Sequence, residues 1–368
     1  MKKPLFTIIV ALLPAISPCQ NTEQEKQDEE ALWLRIRTIS FIKNNEYFNP
    51  ITEGYTLIGS FIRPEIIYSP GGRFEIGLGL HQQLYSGNPR GSSPSILFSA
   101  RWKVSGRSTI TLGALDGCDR HRMYDPHFDS ERLYSWYTEN GASFVTESDH
   151  FFSDTWINWE NFIFWGDTVR EVFTAGESFS YTLKPAGDFL TVNLPLQLKF
   201  KHFGGQISNY SEHVVTFFNL SAGAGFEFNF AEGRYGTPGI EYLRFVFREL
   251  TQKGEMGITS GNASWIRFHY RYRWLALGSW FWFSHNFFAP DGNQIYSSVS
   301  DYKTGVIIPD RKIWTSSYYV TLRPAGLFEM LLGFEGYYDM NLKRMDSAAA
   351  FHLRFDRLIR VATLKSRQ

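Results

Sequence analysis

Polar and apolar residues alternate along most of this chain, most clearly between residues 265 and 273. Successive side chains of a β-strand point to opposite faces, so this stretch would have one basic and one aromatic face. The basic face holds Arg267, His269, Arg271 and Arg273, and the aromatic face holds Ile266, Phe268, Tyr270 and Tyr272. Soluble sheets rarely line a core with arginines while exposing a large aromatic face to water. The alternation is typical of a transmembrane β-barrel, which is apolar outside and polar inside.

The same alternation recurs about sixteen times between residues 34 and 357, in segments of roughly 9 to 14 residues that suit a tilted membrane-crossing strand. The connections are a second observation. Short turns at 69–72, 184–188 and 323–326 alternate with longer loops, as periplasmic turns and outside loops do in outer-membrane barrels. We therefore predict an all-β fold, a transmembrane antiparallel up-and-down β-barrel of about 16 strands (roughly 14 to 18), with both termini periplasmic.

The N-terminus has the pattern of an export signal. Lys2 and Lys3 precede an apolar run, Leu5–Ile16, that is too short to span a bilayer. We predict a cleaved signal peptide at 1–19, a flexible periplasmic segment at 20–31, an outer-membrane barrel at 32–358 and a C-terminal tail at 359–368. Lipidation of Cys19 is left open. After cleavage Cys118 is the single remaining cysteine, which excludes an internal disulfide.

The amino-acid composition limits the classes of binding partner that the protein can have. The chain has 37 basic and 37 acidic residues, so it lacks the basic excess of a nucleic-acid-binding protein. Aromatic residues make up 17 % of the chain, which fits the aromatic girdles of a barrel. The expected location is the outer membrane of a Gram-negative cell. The expected partners are its lipid and lipopolysaccharide, small polar solutes, and either two further copies in a homotrimer or another membrane protein.

Three stretches carry a resemblance to a known group of proteins. They are Lys43–Phe48 followed by Glu53–Gly59, Asp154–Phe162, and Phe287–Gly292 running into Tyr296–Ser298. In these stretches the chain resembles porin-like outer-membrane β-barrel proteins of Bacteroidota. The resemblance implies an outer-membrane location and no particular substrate. One departure is the end of the chain, where Phe355 is followed by a basic tail instead of ending the last strand.

The inward-facing polar side chains are the main functional prediction. The expected lumen-lining residues are Arg63, Glu75, His81, Arg101, Lys199, Arg244, Arg248, Arg267, His269, Arg271, Glu329, Glu335 and Arg354. Among them, the arginines near 244–248 and 267–271 fall on neighbouring strands and would form a basic wall. A charged wall of this kind selects small charged or polar solutes. The alternative is that the charges pair across strands and brace a closed lumen.

The polar segment 116–135 is the third predicted outside loop. If it folds inward and constricts a channel, the residues concerned are Asp119, Asp125, Asp129 and Glu131. An ordinary solvated loop is the alternative, and the sequence slightly favours it. Two histidines, His121 and His127, lie among these carboxylates, but their spacing matches no strong zinc-ligand pattern. We therefore predict no metal and no cofactor.

A catalytic site is not expected from the sequence. Barrel hydrolases need a nucleophile with a positioned histidine, yet the chain has no G-x-S-x-G motif and no serine–histidine pairing that spacing identifies. The prediction is a protein that is not an enzyme, a porin-like channel for passive diffusion of small hydrophilic or charged solutes. The alternatives are a structural or assembly barrel with a plugged lumen and, less favoured, a barrel hydrolase.

Overall fold

Sixteen antiparallel strands close into a barrel in which each strand pairs with its sequence neighbours and the first pairs with the last. The structure is a computed structural model that describes residues 30–88, 92–211 and 213–364. The predicted signal peptide and residues 20–29 of the predicted periplasmic segment lie outside these ranges. The predicted fold class and strand count are confirmed.

The strand bounds follow the period-two pattern closely. They are β1 (Ala31–Glu46), β2 (Thr56–Ser69), β3 (Phe74–Tyr85), β4 (Ser95–Lys103), β5 (Ser108–Ala114), β6 (Asn140–Glu147), β7 (Phe151–Asn161), β8 (Glu171–Leu183), β9 (Pro185–Asp188), β10 (Leu190–Gly204), β11 (Val215–Phe228), β12 (Thr237–Glu249), β13 (Ser260–Tyr272), β14 (Leu275–His285), β15 (Asp310–Leu322), β16 (Glu329–Asp339) and β17 (Arg344–Thr363). The four-residue β9 lies in a turn and takes no place in the barrel order. Because β17 continues to Thr363, the barrel extends five residues beyond the predicted boundary at 358.

Helical structure is brief within the described ranges. One α-helix, α1 (Arg132–Ser135), and four 3-10 turns, Cys118–Arg120, Phe230–Gly233, Gln294–Tyr296 and Pro324–Gly326, lie in the connections. No helix in this part of the chain is long and apolar enough to span a membrane.

The outer face of the barrel carries an apolar belt. On β2, Ile62 and Ile66 are exposed while Arg63 and Glu65 are buried, and on β16 Leu332 and Phe334 are exposed. The closed sheet pairs the backbone N–H and C=O groups with each other, and the outward side chains present hydrocarbon to lipid. The protein is therefore a multi-pass β-barrel of the outer membrane.

Three long loops fold into the end of the lumen opposite the short turns. They are residues 47–55, 115–139 and 286–309. The last two are joined by backbone hydrogen bonds, from Asp129 N to Asp291 O at 2.7 Å and from Asn293 N to Asp125 O at 2.9 Å. We call these three segments the plug, because together they fill the outer half of the lumen.

The main hydrophobic core lies inside the barrel, between the plug and the wall. Trp282 of β14 is fully buried, with its ring centroid 5.1 Å from those of Phe287 and Tyr296 of the plug. Phe245 of β12 is also fully buried and lies 5.2 Å from Trp282. Between these strands and the plug, the outer half of the lumen therefore contains a packed aromatic core.

This core reverses the predicted faces of β12. The sequence pattern predicts that Phe245 faces lipid and that Arg244 and Arg248 face the lumen, but the two arginines are exposed on the outer wall. Leu243 and Phe247 join Phe245 inside, each fully buried. The prediction is wrong here because the plug offers an apolar surface, so the apolar face of the strand turns inward. The predicted basic wall therefore does not form.

Candidate functional site

Several predicted lumen residues form ion pairs in the packed interior. Arg63 is fully buried, and its Nη2 donates to Glu65 Oε1 at 3.0 Å. Arg354 Nη2 donates to Asp119 Oδ2 at 2.6 Å, and Arg101 pairs with Asp116. Both aspartates belong to the plug. Arg101 and Arg354 therefore hold the plug to the wall.

A buried ion cluster anchors the third plug loop. Lys199 Nζ and Lys201 Nζ of β10 donate to the two carboxylate oxygens of Asp291, at 3.0 and 2.9 Å. Arg132 of α1 lies 3.4 Å from the same carboxylate. Burial alone raises the pKa of Asp291, but the charges of Lys199, Lys201 and Arg132 outweigh it and hold that pKa far below its usual range. Asp291 is therefore a charged anchor.

The segment 116–135 packs inside the barrel, so the solvated-loop alternative is wrong. Glu131 is buried and accepts from Lys43 Nζ at 3.0 Å and from Asn45 Nδ2 at 2.8 Å. Asp125 is held by Asn293, and Asp129 by the backbone of the third plug loop. The predicted constriction residues thus belong to a packed plug.

His121 lies between two buried carboxylates, and its ring stacks on that of Trp156 with the centroids 3.8 Å apart. Its Nδ1 contacts Asp154 Oδ2 at 2.8 Å and its Nε2 contacts Glu139 Oε2 at 2.7 Å. Burial alone lowers the pKa of His121, but Glu139 and Asp154 outweigh it and raise the pKa to about 9. Within residues 30–88, 92–211 and 213–364, no group of three or more His, Cys, Asp or Glu is placed to hold a metal ion.

The remaining predicted residues lie at the edges of this interior. His81 packs on Phe61 at 4.9 Å between ring centroids. Glu75 is buried, with Lys103 Nζ 3.8 Å away. Glu329 accepts from Arg323 Nε at 2.9 Å close to a short turn.

A cavity of about 490 Å³ occupies the half of the lumen nearer the short turns. It brings together part of the predicted basic face of β13. Arg267 Nη1 donates to Glu241 Oε2 at 2.6 Å, and Arg271 Nη2 donates to Glu227 Oε2 at 2.6 Å. His269 Nε2 lies 3.3 Å from the other oxygen of Glu227. Glu335 also lines this cavity.

A polar groove of about 480 Å³ lies near the loop end of the barrel, lined by Arg244, Ser264, His285, Asp310 and Lys312 among other residues. Strand register builds it, since Arg244 pairs with Ser264, Ser264 with Phe283, and Phe283 with Lys312. One row nearer the loops, Asn262 pairs with His285 and His285 with Asp310. We call this groove the outer-wall groove.

The outer-wall groove contains the exposed pair expected of a general base and its partner. His285 Nδ1 lies 2.8 Å from Asp310 Oδ1. Arg244 donates from Nη1 to Ser264 Oγ at 2.9 Å and from Nη2 to Asn262 Oδ1 at 2.7 Å. A carboxylate-held imidazole beside a fixed guanidinium can activate a water and stabilise an oxyanion.

Sequence reasoning missed this groove for a definite reason. Ser264, His285 and Asp310 lie on three strands, 21 and 25 positions apart along the chain (285 − 264 and 310 − 285). They meet only through register, and no local motif marks them. The misassigned face of β12 also placed Arg244 on the wrong side of the wall.

The fold is similar to solved outer-membrane proteins at low sequence identity. OprD of Pseudomonas aeruginosa matches with a TM-score of 0.53 at 8% identity, covering 91% of this chain and 97% of that one. OpdL of the same species matches with 0.51 at 12% identity, covering 90% and 99%. A loop L8 deletion mutant of OmpT of Vibrio cholerae matches with 0.51 at 11% identity, covering 90% and 100%. These matches concern the barrel architecture, which agrees with the predicted porin-like fold.

Comparison of the sequence with known proteins identifies the family to which the chain belongs. No curated protein has significant sequence similarity to the chain. The family model described as lipid A 3'-O-deacylase-type, however, matches residues 24–364. Because a deacylase is an enzyme, this match overturns the prediction that the protein is not one. By a match over nearly its whole length, the chain belongs to the lipid A 3'-O-deacylase-type family.

Proposed function

We propose that this protein is an outer-membrane acyl-ester hydrolase that acts on lipid A at the outer-wall groove. The observation that carries the proposal is the exposed His285–Asp310 pair, with Nδ1 and Oδ1 2.8 Å apart, beside a guanidinium on the lipid-facing wall. Membership of the lipid A 3'-O-deacylase-type family supplies the reaction class.

The outer wall suits this substrate better than the lumen. His121 and His127 lie inside the barrel and are almost fully buried, where an acyl chain held in a membrane leaflet has no access. The outer-wall groove lies at the loop end, which faces the outer leaflet and its lipid A. Arg244 and Lys312 are exposed there and present positive charge to the phosphates of lipid A.

The reaction assigned to the groove is a general-base hydrolysis. With Nδ1–H donated to Asp310, the Nε2 of His285 accepts from Asn286 Nδ2 at 3.2 Å. A water that displaces this amide gives its proton to Nε2 and attacks the ester carbonyl. Arg244, oriented by Ser264 and Asn262, stabilises the negative charge that develops on the carbonyl oxygen. Return of the proton to the leaving oxygen releases a free fatty acid and a sugar hydroxyl.

The test is mass spectrometry of lipid A incubated with the purified protein in detergent. The wild type should remove one acyl chain, and His285→Gln should lower the rate about 100-fold or more, since general-base catalysis contributes about that much. His150→Gln is the matched control, because His150 is an exposed histidine at the opposite end of the barrel, in the turn between β6 and β7. Ser264→Ala tests water as the nucleophile, because a serine nucleophile would make that variant inactive.

Two results would contradict the proposal. One is intact lipid A after incubation with folded wild-type protein, and the other is undiminished deacylation by His285→Gln. Asp310→Asn provides a second variant of the pair, and its activity should fall while the barrel stays folded by circular dichroism.

A passive channel is the second candidate function, and its support is the porin-like architecture. The packed plug in the outer half of the lumen counts against free diffusion. Planar-bilayer recording of the purified protein separates the candidates, because a channel gives stable, ion-selective steps and a plugged barrel gives none. The Bacteroidota origin, the homotrimer and the alternative of a membrane-protein partner stay predictions.

A further inference from the structure

The cavity in the half of the lumen nearer the short turns has the size and walls of a small-molecule site. Its volume of about 490 Å³ falls within the usual range for ligand pockets. Aromatic side chains form much of its wall, namely Tyr124, Trp265, Trp280, Tyr296 and Tyr319. Aromatic faces attract cations, especially where water is scarce.

The cations of the cavity are already matched by carboxylates. Arg267 pairs with Glu241 at 2.6 Å, and Arg271 pairs with Glu227 at 2.6 Å. The guanidinium of Arg267 also lies 4.5 Å from the ring centroid of Trp265. Neither arginine is therefore available to neutralise a further carboxylate.

Two more carboxylates line the cavity and have only neutral donors among the described residues. Glu335 accepts from Tyr319 Oη at 2.5 Å and from Tyr337 Oη at 2.6 Å. Asp125 accepts from Ser130 N at 3.0 Å and from an asparagine side chain of the plug at 2.8 Å.

The surroundings do not neutralise these two carboxylates. The ammonium of Lys43 is attracted to the carboxylate of Glu335, but its salt bridge is with Glu131. Burial and then the charge of Glu335 raise the pKa of Asp125 to about 6. Asp129, next to Glu131, also has a pKa raised by burial and neighbouring carboxylates. The charged forms of Asp125 and Asp129 are therefore destabilised, and a bound cation would stabilise them.

We propose that this cavity is a binding site, entered from the periplasm, for a small organic amine whose ammonium groups pair with Glu335 and Asp125. A metal ion fits less well, because no metal-holding group of three or more His, Cys, Asp or Glu occurs among the described residues. An ammonium needs only carboxylates, hydroxyls and aromatic faces, which are the groups present. The site is separate from the outer-wall groove, and its test is independent of lipid A hydrolysis.

The test is isothermal titration calorimetry of the full-length protein in detergent with 1,4-diaminobutane. Succinate and 1,4-butanediol are matched probes of the same chain length, one anionic and one neutral. The diamine should give saturable binding, and the two other probes none. Glu335→Gln, which keeps the shape and removes the charge, should weaken diamine binding about tenfold, as loss of a charge-assisted hydrogen bond does. Glu329→Gln is the control, since Glu329 is on the same strand and outside the cavity lining.

Three results would overturn the proposal. They are no saturable heat with the diamine at millimolar concentration, equal binding of butanediol, and displacement of the diamine by an equimolar amount of magnesium chloride. The comparison among probes on the wild type holds even if Glu335→Gln fails to fold, which a circular dichroism spectrum reports.

Discussion

At the residue scale, position inside or outside the wall decides what each histidine can do. His121 is 3 % exposed and held between two carboxylates, so it serves as a buried cation that ties the plug to β7. His285 has the same kind of partner but is exposed on the outer wall, where a substrate can reach it. The same pairing thus stabilises the fold at one position and is available for chemistry at the other.

The raised pKa of His121 predicts a loss of stability at high pH. Since its folded pKa, about 9, exceeds the ordinary histidine pKa of 6.5, its stabilisation is complete below pH 6.5 and disappears as the pH rises through 9. The loss is about 3 kcal/mol, because one pKa unit corresponds to about 1.4 kcal/mol. The unfolding temperature in detergent should therefore fall between pH 7 and pH 10, and this dependence should weaken in His121→Gln. A His150→Gln control with an equally weakened dependence would contradict the assignment.

At the element scale, β12 shows which structural properties the sequence pattern can predict and which it cannot. Alternation located β12 and the fifteen other barrel strands, with strand ends displaced by up to six residues, because period two is a property of the strand itself. Alternation alone cannot tell which face is inside. For β2 the polar face is inside, as the barrel rule predicts, but for β12 the apolar plug takes the inner side. The plug is built from distant loops, so nothing local to β12 reveals it.

The inward face of β12 is testable by truncation. Phe245→Ala should lower the free energy of unfolding by about 3 to 5 kcal/mol, because it empties a fully packed site next to Trp282. Arg244→Ala, one residue away on the outer wall, should change it by less than about 1 kcal/mol. Urea titration in lipid vesicles measures both. If Arg244→Ala lowered the free energy of unfolding more than Phe245→Ala, the orientation of β12 predicted from the sequence would be the correct one.

At the scale of the whole molecule, the barrel is a filled cylinder whose wall and contents depend on each other. Asp291 links the third plug loop to β10 through two lysines and to α1 through an arginine. Asp291→Asn would leave Lys199 buried without a counter-charge, which is strongly unfavourable, whereas Lys201 would keep Glu160. The plug should then loosen, and planar-bilayer recordings should show transient conductance steps that the wild type lacks. Asp188→Asn, at an exposed turn, is the control, and silence of both variants would mean that the anchor is dispensable.

The seam between β1 and β17 has a consequence for how the molecule forms. Arg35 of β1 bonds Asp356 of β17 across 321 positions of chain, within the strand pairing that closes the barrel. Contacts between such distant residues cost much chain entropy and slow folding. At this seam the plug residue Asp116 contacts Arg35 of β1, and the plug residue Asp119 contacts Arg354 of β17. A plug packed early would hold the two edges together, so the segments that fill the finished barrel would also serve as the template on which it closes.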